Sequence, residues 1–95
     1  MTPSDDPVLR EFREQISATD QAILDAVNAR LELVARIKEY KESRGIDFLD
    51  PEREESMLRE LAEANSGPLS GPGVQELLTS VLELTKREVA RREEQ

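Results

Sequence analysis

From Pro7 to Arg44 the chain holds no Gly and, after Pro7 itself, no Pro, while apolar residues recur at Leu9, Phe12, Ile16, Ile23, Val27, Val34 and Ile37. That three-or-four spacing is one face of an α-helix, and it predicts a single helix of nearly forty residues. At 1.5 Å rise per residue such a helix is on the order of 55 Å long, whereas a compact domain of this chain's length has a diameter of roughly 32 Å. A helix longer than its own domain buries its stripe only along another chain. The pattern therefore predicts an intertwined helical homodimer.

Gly45 is suited to the left-handed residue after a helix terminus, so the first helix is expected to end there. Asp50 as N-cap, Pro51 at the first helical position and acid at Glu52 predict the start of a second helix. Met57, Leu58, Leu61 and Ala62 form its short apolar face, and Asn65-Ser66-Gly67-Pro68 stops it. The Gly, Pro and Ser stretch from Ser66 to Gly73 reads as a connector, after which Val74, Leu77, Leu78, Val81, Leu84, Thr85 and Val89 space out a third helix. The expected fold class is all-α: a three-helix chain with one very long N-terminal helix, in one domain over residues 1–95, with 1–6 and 91–95 fraying.

Composition narrows the chemistry. The 95 residues carry 13 Lys plus Arg against 21 Asp plus Glu, a net charge of −8, with no Cys and no His. Without His or Cys there is no zinc site of imidazole or thiolate ligands, no Ser-His or Cys-His nucleophile and no disulfide. Arg, Lys, carboxylates, hydroxyls and amides remain. The acid excess opposes nucleic-acid and anionic-membrane partners, so an anionic ligand would need a local basic cluster. The acidic start and the lack of a long apolar run point to the cytoplasm.

Two cations sit where a solvated residue would not. Arg30 lies seven residues from both Ile23 and Ile37, within about 20° of each around the helix, in the middle of the apolar stripe. Lys41 lies eleven residues further, again about 20° from Arg30 and roughly 16 Å along the axis. Either both snorkel or pair with some of the many carboxylates, or they receive a ligand that carries carboxylates. Arg13 lies about 100° away from Arg30 around the helix and alone is a surface residue; in an antiparallel dimer it would complete the other chain's cluster. Arg53 occupies the first turn of the second helix, where the dipole disfavours a cation.

Together these residues resemble a known family. Leu9-Arg-Glu-Phe-Arg13-Glu-Gln-Ile16, Thr19-Asp20-Gln-Ala-Ile-Leu24, Asn28-Ala-Arg30-Leu-Glu-Leu-Val34, Ile37-Lys-Glu-Tyr-Lys41 and Asp50-Pro51-Glu52-Arg53-Glu54 look like the all-helical, AroQ-type chorismate mutases, over roughly residues 8 to 89. The resemblance implies an intertwined dimer of three-helix chains that converts chorismate to prephenate, feeding phenylalanine and tyrosine synthesis. That Claisen rearrangement is a unimolecular pericyclic step on a dicarboxylate and needs no nucleophile, base, metal or cofactor. It needs a reactive conformer held in place and donors aimed at the ether oxygen, where negative charge grows.

By matching positions, Arg30 and the partner chain's Arg13 would grip the two carboxylates with bidentate forks. Lys41 would donate to the ether oxygen. Asp50 through its backbone and Glu54 through its side chain would hold the substrate hydroxyl, Arg53 would support Arg30 or a carboxylate, and Thr85 would line the site. One position departs from the family pattern: Val89 stands where a Gln or Glu commonly supplies the second donor to the ether oxygen. Loss of such a donor costs about 10²–10³ in rate if nothing replaces it. Glu88, Lys86 and Gln75 are the candidates to do so. The same scaffold also serves aminodeoxychorismate mutases and isochorismate pyruvate lyases, and a weakly active module that needs a shikimate-pathway partner enzyme is a further alternative.

Overall fold

The computed structural model describes residue 2 and residues 5–93. Three helices follow one another, α1 (Pro7–Arg44), α2 (Pro51–Ala64) and α3 (Gly71–Glu93), with no strand among the described residues. The expected all-α chain with its very long first helix is what forms. The chain divides into two units, Met1–Arg30 and Leu31–Gln95, and α1 contributes to both.

In the first unit the helix is started by Asp6, whose Oδ1 accepts from the backbone N–H of Val8 at 2.9 Å and of Leu9 at 3.1 Å. Pro7 then occupies the first helical position, where no N–H is missed. Among the described residues of this unit none is buried, and Val8, Leu9, Phe12, Ile16, Ile23 and Leu24 are all exposed. Val27 and Arg30 are half-buried.

The second unit holds the interior. The last part of α1 carries two apolar faces where the sequence pattern reads as one stripe. Leu31, Val34 and Ala35 are half-buried with Lys38 and Lys41, while Leu33, Ile37 and Tyr40 remain exposed. Gly45, at φ 68°, turns the chain out of α1, and the N–H of Ile46 returns to the carbonyl of Lys41 at 2.9 Å. Nothing within 4 Å would meet an added Cβ at Gly45, so an Ala there carries only the backbone cost of a left-handed conformation. Gly45→Ala is expected to lower the unfolding free energy by about 1 kcal/mol, read from the midpoint of urea unfolding.

Asp50 caps α2 as expected, its Oδ1 accepting from Arg53 N at 3.1 Å and its carbonyl from Glu54 N at 3.1 Å. Asn65 ends α2, its N–H bonded to Leu61 O and its side-chain amide to Leu69 O. α3 begins at Gly71, inside the stretch read from sequence as connector. The reason lies in Ser70, whose Oγ accepts from Gly73 N at 3.1 Å and whose carbonyl accepts from Val74 N at 2.9 Å. Behind such a cap, Gly and Pro fall in the first turn, where the backbone N–H groups have no partner in the helix anyway. The other end of α3 stays helical through Glu93, and Arg92 pairs with Glu32 of α1 at 3.2 Å. Of the tail expected to fray, residues 94 and 95 lie outside the described residues.

α2 and α3 pack antiparallel. Pro51, Glu54 and Leu58 face Thr79, Leu82 and Lys86, while Leu61 and Ala64 face Val74, Leu77 and Leu78. Val74 and Val89 are buried, Met57, Leu58, Leu78, Val81 and Leu82 are half-buried, and the one buried polar side chain among the described residues is Thr85. That interior is small for a helical unit of this length, which is why so much of α1 remains uncovered.

Candidate active site

The residues singled out by sequence fall in both units. Arg13 is exposed and Arg30 half-buried in the first; Lys41, Asp50, Arg53, Glu54, Thr85 and Val89 belong to the second. Lys41 is half-buried near the end of α1 and donates from Nζ to the carbonyl of Phe48 at 3.1 Å. That bond ties the ammonium to the 45–50 loop, whose Phe48 ring also receives the Lys38 Nζ 5.5 Å from its centroid. A cation so held is fixed in direction and keeps two further N–H donors for a ligand.

Asp50 sits at the other end of that loop and spends its carboxylate on the α2 cap. Four residues on, Glu54 is half-buried and its Oε1 lies 2.7 Å from the Nζ of Lys86 on α3. Arg53 points along its own helix to Glu60, at 3.6 Å with both side chains 65% exposed, so this pair contributes little to stability. On α3, Thr85 and Val89 are one turn apart and both buried, at 4% and 3% exposure, and the Thr85 hydroxyl donates to Val81 O at 2.7 Å. Position 89 presents an apolar surface where the family pattern has an amide or carboxylate.

Of the three candidates to replace the missing donor, Glu88 is engaged by Arg91 at 2.6 Å and Gln75 is exposed. Lys86 alone reaches a residue assigned to the substrate. The Lys86 to Glu54 contact was not legible from spacing on either helix, since it depends on the antiparallel pairing of α2 with α3. The signal available was a cation directly beside Thr85, one turn from Leu82 and Val89 on the same helix.

The chorismate mutase type II family model matches residues 12–89. This stretch holds Arg13, Arg30, Lys41, Asp50, Arg53, Glu54, Thr85 and Val89 and more than half of the chain. The chain belongs to the type II chorismate mutase family. Among solved structures, a chorismate mutase from Thermus thermophilus superposes with a TM-score of 0.79 at 26% identity, over 81% of this chain and 96% of that one. The T-protein of Enterobacter agglomerans is 46% identical over 63 residues, which is 63% of this chain and 17% of the T-protein. The chain thus spans about a sixth of the length of that curated relative. No helix is long and apolar enough to cross a membrane among the described residues.

Proposed function

We propose that the chain is a chorismate mutase working in the cytoplasm as an intertwined homodimer, in which each site takes Arg13 from the partner chain. The observation that carries this reading is the family match over residues 12–89, a stretch that contains Arg13, Arg30, Lys41, Asp50, Arg53, Glu54, Thr85 and Val89. The bare N-terminal part of α1 supports the second chain. Phe12, Ile16 and Ile23 are each between 57% and 58% exposed, a row of large apolar groups with no interior of its own.

In this reading Arg30 and the arginine from across the interface bind the two carboxylates of chorismate and select the conformer in which the allyl and enolpyruvyl ends meet. One C–O bond breaks as one C–C bond forms, and charge accumulates on the departing ether oxygen. The Lys41 ammonium, held by Phe48 O, is aimed at that charge. Glu54 accepts the hydroxyl of the substrate ring, beside the Asp50 backbone. Val89 contributes an apolar wall and no donor, so Lys41 carries the ether oxygen without the usual second partner.

The test is to incubate the purified chain with chorismate and follow prephenate by NMR. Prephenate is expected at a rate above the spontaneous one in proportion to enzyme. A rate equal to the buffer control, with the dimer present by light scattering, would overturn the reading.

A further inference from the structure

The Lys86–Glu54 pair stands apart from the other ion pairs of the chain. Its side chains are 38% and 30% exposed, and among the described ion pairs it alone has both members below 40%. It joins two helices, as Arg92 with Glu32 does, whereas Arg59 with Glu55, Arg91 with Glu88 and Lys38 with Glu42 are neighbours along one helix. An open cavity of about 280 Å³ surrounds it, lined by Pro51, Glu55, Leu58, Thr79, Leu82 and Glu83 as well as the pair itself, so Lys86 is its one cation. At 2.7 Å the contact is a charge-assisted hydrogen bond, with the ammonium on one carboxylate oxygen.

We infer that Lys86 is a specificity-determining residue, which sets Glu54 to receive a neutral hydroxyl and to reject a substrate carrying an amine at the same ring position. The inference rests on the chorismate reading above, in which Glu54 faces that ring substituent. A carboxylate without a cation attracts an ammonium at least as well as a hydroxyl. Glu54 already has its cation. A second ammonium arriving there meets the Lys86 charge across one carboxylate, and this like-charge contact is a repulsive element against the wrong substrate. A hydroxyl pays no such cost, since it donates its proton to a carboxylate oxygen while the ion pair stays in place. Lys86 touches no reacting atom in this arrangement and acts through Glu54.

The experiment compares kcat/KM for chorismate and for aminodeoxychorismate on the full chain as wild type, Lys86→Met and Lys86→Arg, with circular dichroism spectra to establish folding. Wild type is expected to prefer chorismate. Lys86→Met is expected to move the ratio of the two kcat/KM values toward the amino substrate by about ten-fold or more, and Lys86→Arg, which keeps the charge, to leave it near the wild-type value. A merely structural role would lower both substrates alike and leave the ratio alone. If Lys86→Met fails to fold, Lys86→Gln reads the same ratio. An unchanged ratio in a folded neutral variant, an equal shift in the Arg variant, or a wild type that prefers the amine overturns the inference while the mutase reading stands. A wild type that consumes neither substrate overturns both.

Discussion

Lys41→Ala is expected to lower kcat for chorismate by about two orders of magnitude or more while the dimer stays intact. A rearrangement with no acid, base or nucleophile leaves an enzyme only orientation and electrostatics to work with. In the proposed site, orientation is spread over several residues, whereas charge on the ether oxygen falls to Lys41. Position 89, where a second donor would stand, is a buried valine. Removal of Lys41 therefore leaves the developing charge facing no donor at all. The Phe48 carbonyl that holds Lys41 would lose its partner as well, but it belongs to a loop and can turn to water, so stability should change far less than rate. Steady-state kinetics on a variant of native mass by light scattering read the effect. An unchanged kcat would remove Lys41 from the chemistry.

Arg13→Ala and Arg30→Ala chains should each be inactive alone and recover activity when mixed. If each site draws Arg30 from one chain and Arg13 from the other, a mixed dimer has one site with both arginines and one with neither. Random re-pairing of equal amounts makes half of the dimers mixed, so about a quarter of wild-type sites should be restored. Mass spectrometry under native conditions would count the mixed dimers. Mixed dimers without recovered turnover would sink the shared site and leave Arg13 as an ordinary surface residue.

Much of the architecture was legible from local signals. The long first helix announces itself through the absence of Gly and, after Pro7, of Pro, and through a stripe that runs from Leu9 to Ile37, about eight turns. Asp50 and Pro51 mark the start of α2, and Gly45 the end of α1, because each does something that few other residue types do well. The start of α3 was misplaced by a few residues because Gly and Pro read as breakers, and only the Ser70 cap turns that composition into a first turn. The division of α1 into a covered and an uncovered face was also hidden. Leu31, Val34 and Ala35 differ from Leu33, Ile37 and Tyr40 by what packs on them, which hydrophobicity alone does not encode.

For the site, Arg30 and Lys41 stood out by being polar on an apolar stripe and Arg53 by its dipole-disfavoured position, whereas Arg13 and Glu54 entered only through the family resemblance, and the buried Thr85 and Val89 followed the spacing of α3. The partner of Glu54 did not stand out. Lys86 and Glu54 are separated by a helix, a connector and most of another helix, and a pairing of that kind is a product of packing angle, not of pattern.

The uncovered start of α1 has a consequence for how the molecule comes together. α2 and α3 are joined by a short connector and make their contacts with near neighbours in the chain, so this hairpin can form early, within a single chain. Residues 7–30 have no such opportunity, since most of a helix's stability in a protein comes from packing its apolar face, and theirs is uncovered. In the proposed dimer their order depends on encounter between chains, and the completion of folding becomes a second-order process. Dilution should slow it, and at low concentration a protease should cut within residues 7–30 long before it reaches the α2–α3 hairpin.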